Sequence, residues 1–102
     1  MHHHWVAALH IGGFIGEAAL AVGEAIHELG SRHQVLTITH LPQVAARGHQ
    51  QGVLRKVVAQ GRTRTELEWV SGEARTRELA RLLAGQPDRP EALEHARALL
   101  GE

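Results

Sequence analysis

Residues 34–40 run Gln34-Val35-Leu36-Thr37-Ile38-Thr39-His40, an apolar and β-branched segment that ends on a histidine and is followed at once by Leu41-Pro42. A continuous run of this kind fits a strand covered on both faces in a parallel sheet. Pro42 fits the first turn of a short helix, where a missing amide hydrogen removes no helical bond. Strand, histidine, helix places His40 at the carboxyl end of a strand, the edge at which open α/β sheets bind ligands. An imidazole there can donate a hydrogen bond and can titrate near neutral pH. His40 is therefore the first candidate site residue.

The rest of the chain reads as helix, strand, short helix, β-hairpin and two helices, an α/β fold class. From Phe14 to Gly30 the apolar residues Ile15, Ala18, Ala19, Val22, Ala25, Ile26 and Leu29 recur at three- and four-residue steps and define one helical face, which Gly30 ends. Residues 53–59 and 63–70 flank Gln60-Gly61-Arg62, a glycine-containing hairpin connection. Thr63, Thr65, Leu67 and Trp69 alternate with Arg64, Glu66 and Glu68, so one face of the hairpin is expected on a core and the other in water. Ser71 can cap a helix carrying Leu79, Leu82 and Leu83, and Pro90 can open a last helix with Leu93, Ala96, Leu99 and Leu100 inward.

Composition narrows the function classes. The 102 residues suffice for one small domain. Eleven basic and eleven acidic residues balance, so no net field draws the chain to nucleic acid or a membrane. The absence of cysteine excludes disulfides and thiolate metal sites. No apolar stretch reaches the ~20 residues needed to span a bilayer. A cytoplasmic protein is expected.

The spelling Val35-Leu36-Thr37-Ile38-Thr39-His40-Leu41-Pro42-Gln43-Val44-Ala45-Ala46 resembles the switch-histidine segment of the bacterial DNA repair protein RecN, an ATPase family related to the SMC and ABC families. Upstream, Ile11-Gly12-Gly13 and the helical run to Leu29 resemble the end of that family's D-loop and the helix after it. Downstream, Lys56, the turn Gly61-Arg62-Thr63, the segment Glu78-Leu79-Ala80-Arg81-Leu82-Leu83-Ala84-Gly85, and Ala92-Leu93-Glu94-His95-Ala96-Arg97 match its C-terminal hairpin and closing helices in order. The resemblance divides the chain into an unmatched segment, 1–10, and a RecN-like C-terminal head segment, 11–102.

The resemblance implies a partial P-loop NTPase head of ABC/SMC type and a role in recombinational repair of DNA double-strand breaks. It implies ATP and Mg²⁺ as cofactors of the full head, with Gly12, Gly13 and His40 on the nucleotide side and His40 as the switch histidine that senses the γ-phosphate. Its expected partners are the N-terminal P-loop half of such a head, or a second head, with DNA reached indirectly. The sequence departs from the family where hydrolysis is done. No G-x-x-x-x-G-K-[ST] loop occurs, so backbone amides to cradle phosphates and a lysine to reach them are missing. The signature motif is missing too. Aligning on Ile11-Gly12-Gly13 puts Trp5 and Val6 where the family carries its magnesium-directed aspartate and water-activating glutamate, and neither side chain can do that work. A C-terminal fragment that does not hydrolyse ATP alone is expected. The alternative is a stand-alone, non-catalytic interaction module derived from an ATPase head.

His2, His3 and His4, with His10, His27, His33 and His49, raise a third and more distant reading, a metal-binding protein. A fixed site needs three or four ligands in defined geometry, and these histidines show no pair spacing of the H-x-x-x-H kind, so no metal site is expected. Arg47, Arg55, Lys56, Arg62 and Arg64 gather around the hairpin, where charges ordinarily guard exposed strand edges rather than bind DNA.

Overall fold

The structure, a computed structural model, describes residues 6–11 and 17–102, with side chains from residue 18 onward. Their order is β1 (Val6–Ile11), α1 (Glu17–Gly30), β2 (Gln34–Thr39), α2 (Pro42–Ala45), β3 (Gln51–Ala59), β4 (Arg62–Val70), α3 (Gly72–Ala84) and α4 (Pro90–Leu99). The mixed α/β class is the expected one. The leading strand is not, since the sequence pattern predicts a chain that opens on a helix. Six residues are too few for periodicity to separate a strand from a buried helical turn, and β1 exists through its backbone pairing with β2. Trp5 and the Gly12–Ile15 segment lie outside the described residues.

β1 and β2 pair in parallel, in register from Val6↔Gln34 to Ile11↔Thr39, with α1 as the crossover. Two-sided burial of β2 does not hold. Val35, Thr37 and Thr39 are half-buried, whereas Leu36 and Ile38 are 51% and 47% exposed on the opposite face. Only one face has α1 and α2 against it, so the apolar run prepares a second contact that the described residues do not supply.

α1 corrects a second expectation. Ala19 and Gly23 are buried, and Val22, Ile26 and His27 are half-buried, but Ala18, Ala25 and Leu29 face solvent. The inward stripe is set by close approach to α2 more than by apolar bulk. A Cβ on Gly23 would lie 2.9 Å from the Gln43 carbonyl oxygen and 3.0 Å from Arg47 Cγ. Gly23→Ala is accordingly expected to destabilise the chain by about 1–3 kcal/mol. At an open helical position the same change would stabilise by up to ~1 kcal/mol. Urea unfolding distinguishes the two signs, and a gain in stability would refute the close packing. Gly30 ends α1 as expected, but without a left-handed backbone; its bare Cα faces the His49 ring, which a Cβ would meet at 3.2 Å.

β3 and β4 form an antiparallel hairpin from Gln51↔Val70 to Ala59↔Arg62. Its loop is only Gln60-Gly61, with φ of 53° and 73°, the two positive values of a type I′ turn. The strands are longer than expected, and the expected core-facing side is not on a core. Leu67 and Trp69 are 54% and 62% exposed. Alternation along β4 sorted its residues correctly into an apolar and a charged face, but alternation carries no information on what, if anything, covers the apolar one.

The hydrophobic core sits where α3 and α4 meet the end of α2. Leu79, Ala80, Ala46, Ala92 and Ala96 are buried, and Leu82, Leu83, Leu93, Leu99 and Leu100 pack around them. The leucine stripes of both last helices thus lie as their spacing foretold. Ser71 occupies the N-cap of α3, although its side chain makes no capping bond. Gly85 closes α3 in the left-handed conformation at φ 78°, its N–H donating to the Arg81 carbonyl at 2.7 Å. Pro90 opens α4.

Candidate functional site

Parallel pairing brings the carboxyl ends of β1 and β2 to one edge. Ile11 is level with Thr39, and His40 is the next residue out of the sheet from β2 on that side. Gly12 and Gly13 themselves lie outside the described residues. His40 is exposed. Its position is fixed from both sides. Behind it, Thr39 Oγ1 accepts the Leu41 N–H at 3.0 Å, bending the chain sharply as the strand ends. Ahead of it, Pro42 and Val44 are buried and anchor α2, while the Val44 and Ala45 N–H groups donate to the Leu41 carbonyl at 3.1 and 3.0 Å. An imidazole so placed offers one hydrogen-bond donor at the rim of a sheet. Alone it has no nucleophile to activate and no acid partner.

What holds α2 is a residue that sequence reasoning passed over. The Arg75 guanidinium, carried by α3, donates to the carbonyls of Ala45, Ala46 and Gly48 at 3.1, 3.2 and 2.7 Å, and to Gln51 Oε1 at 3.0 Å. Those carbonyls belong to the end of α2 and the turn beyond it, where a helix leaves acceptors without intrahelical donors. A cation is also the favourable charge at that end. Burial pulls the Arg75 pKa below the ordinary arginine value. Gln51, 7% exposed, is the buried acceptor that opens β3. One arginine therefore joins α2, β3 and α3 behind the His40 bend. Nothing in the local sequence marks it, because the acceptors it joins lie 24 to 30 residues away.

A second unforeseen contact lies on α1. His27 and His49 stack with ring centroids 4.5 Å apart and planes 14° from parallel. His27 Nδ1 is 2.7 Å from the Arg47 carbonyl, which can only accept, so that nitrogen carries the proton. Near-parallel rings do not aim their in-plane nitrogens at one point, and among the described residues no three His, Asp or Glu side chains gather as metal ligands. The pair staples α1 to the turn after α2.

The basic residues around the hairpin do not form one surface. Arg47 pairs with Glu24 at 2.8 Å, Arg55 with Glu68 at 3.2 Å and Arg64 with Glu66 at 3.7 Å, while Lys56 stands on the opposite face of the ribbon. Between the charged face of the hairpin and α3 lies a cleft of about 540 Å³ lined by Arg55, Glu68, Val70, Arg77, Glu78 and Arg81. Its charges largely pair with one another. Arg81 binds Glu78, and that hydrogen bond raises the arginine's pKa despite partial burial.

Among the described residues, no group of three His, Asp or Glu side chains is placed to hold Mg²⁺. Val6, one of the two positions aligned with the family's acidic pair, begins β1, whereas the family's pair ends its strand. The register hardly matters, because the first acidic residue of the chain is Glu17. Residues 1–16 therefore contain no carboxylate side chain.

Comparison with known proteins finds similar sequences. The chain is 44% identical over 88 residues to the DNA repair protein RecN of Deinococcus radiodurans, covering 86% of this chain and 15% of that protein. It is 42% identical over 88 residues to RecN of Vibrio cholerae and 38% identical over 88 residues to RecN of Bacillus subtilis, covering 16% and 15% of those proteins. No protein-family profile matches. The chain matches a C-terminal segment and spans about 15% of the length of these curated relatives. Among the described residues, no helix is long and apolar enough to cross a membrane.

Proposed function

We propose that this chain, a match to the C-terminal segment of the DNA repair protein RecN, serves as the C-terminal lobe of a RecN-like P-loop ATPase head in recombinational repair of DNA double-strand breaks. The observation that carries the reading is His40, exposed on a pinned bend at the carboxyl end of a parallel strand, with Ile11 ending the neighbouring strand level with Thr39 at the same edge. In this reading His40 is the switch histidine and contributes one donor toward the γ-phosphate of a nucleotide. The phosphate loop and the acidic pair come from a complementary polypeptide. The chain supplies a sensor and a surface, and the isolated chain does not hydrolyse ATP. A cytoplasmic location follows from that role.

The exposed Leu36 and Ile38 face of β2 supports a two-part head, since helices normally cover both faces of a parallel sheet in an α/β fold. The same exposure also favours the rival reading, a non-catalytic interaction module that docks without nucleotide. Co-expression with the remaining part of a RecN relative, followed by co-purification with and without ATP, tests both. A hydrogen bond to a charged group contributes roughly 1.5–3 kcal/mol, so His40→Ala should weaken ATP-dependent association about tenfold or more. Folding should be unchanged, because His40 is exposed. Association indifferent to ATP and to His40→Ala would leave only the interaction module. ATP turnover by the chain alone would sink both.

A further inference from the structure

The hairpin is amphipathic to a degree that a free ribbon does not need. The cross-strand pairs Gly52↔Trp69, Leu54↔Leu67, Lys56↔Thr65 and Val58↔Thr63 share one face. Arg55, Arg62, Arg64, Glu66 and Glu68 lie on the other together with the half-buried Val53, Val57 and Val70, and that face turns toward α3. On the first face Leu54, Val58, Leu67 and Trp69 are between 54% and 72% exposed. Gly52 helps to make that face continuous. A Cβ there would meet Leu67 Cδ1 at 2.6 Å and the Trp69 ring at 3.5 Å, so both side chains lean across bare backbone. A two-stranded ribbon is marginal in water unless a third strand or a packed face supports it. Here Arg75 secures only its base, through Gln51.

We propose that the outer face of the hairpin, Leu54, Val58, Leu67 and Trp69 around Lys56, docks on the part of a RecN-like head that this chain does not span. The inference rests on the head-lobe reading and adds a second contact surface to it, separate from the β2 face. The relatives supply the occupant's origin, since about 85% of their length lies outside the match, 15% being covered. The position of Lys56 argues against a second copy of this chain. It lies between Leu54 and Val58 near the centre of the strip, so a two-fold axis through that strip would bring two ammonium groups together as water left. The occupant is therefore an apolar surface carrying an acceptor, a carboxylate by preference, opposite Lys56.

Trp69 reports on this directly. In a Trp5→Phe background it is the remaining tryptophan, one of two in the chain. The full chain is co-expressed with the Deinococcus radiodurans relative lacking its matching segment, and the purified complex is compared with the chain alone. The expected result is a blue-shifted Trp69 emission and reduced acrylamide quenching in the complex. Leu67→Asp and Val58→Asp should each weaken the complex by about tenfold or more, as for truncation at an interface centre. Circular dichroism of the free variants should be unchanged, because both positions are exposed. A complex in which Trp69 stays fully quenchable and both aspartates are tolerated overturns this surface and leaves the head reading standing. Absence of any complex overturns the head reading and the surface with it. Concentration-dependent shielding of Trp69 in the chain alone would make the occupant a second copy and overturn the proposal.

Discussion

Replacing Leu79 by alanine is expected to remove about 3–5 kcal/mol of stability, the upper part of the range for buried leucine truncations. Leu79 is fully buried, and the buried residues packed with it are Ala46, Ala80, Ala92 and Ala96. Alanines have no side-chain torsion with which to close a void, so only the half-buried leucines around them can relax toward it and most of the cavity persists. For a domain of this size each kcal/mol corresponds to roughly 4–8 °C in Tm. A small domain has little reserve, and the variant should be largely unfolded at 37 °C. Thermal unfolding followed by circular dichroism measures this. A Tm within a few degrees of the parent would show that the α3–α4 contact is not the stabilising core.

Arg75→Ala should have the second largest effect, about 2–4 kcal/mol, although its target is polar. The substitution leaves the carbonyls of Ala46 and Gly48 and the buried Gln51 amide without their shared donor, while the Ala45 carbonyl keeps the Gly48 N–H. An unsatisfied buried acceptor carries a penalty of about 1–3 kcal/mol, and water reaching the turn offsets part of the sum. Arg75→Lys is not expected to rescue it fully, because one ammonium cannot stand both where Nη2 meets the three carbonyls and where Nε meets Gln51 Oε1. The stability loss should be accompanied by faster amide exchange at residues 44–51, the segment that those bonds hold. If exchange accelerates uniformly, or Lys restores the parent stability, Arg75 is not the clasp behind the His40 bend.

These two residues separate what was readable from what was not. Leu79 was legible as part of an i, i+3, i+4 stripe, and α3 and α4 buried those stripes. Burial of a helix face depends on periodicity, which is local. His40 was likewise legible at a strand end, because a β-branched run followed by proline leaves little choice of local structure. Arg75 was opaque. Its acceptors are backbone carbonyls, which every sequence has, and they converge only after α2, β3 and α3 have assembled. The same holds for Gly23, whose meaning is the distance of Gln43 from its Cα, and for the stacking of His27 on His49.

The expectations that failed share one cause. β2 was read as covered on both faces and the hairpin as covered on one, and Leu36, Ile38, Leu54 and Trp69 are exposed instead. Hydrophobic pattern specifies which residues prefer to leave water; it does not say whether the surface that receives them lies within the same chain. By itself the sequence determined the identity and order of nearly all elements after Glu17 and the strand-end placement of His40. The tertiary structure alone decided that Val6–Ile11 is a strand, that Arg75 clamps the turn behind His40, and that two apolar faces are left open. Strand pairing, convergent hydrogen bonds and solvent exposure are all relations between distant segments, and no local pattern encodes them.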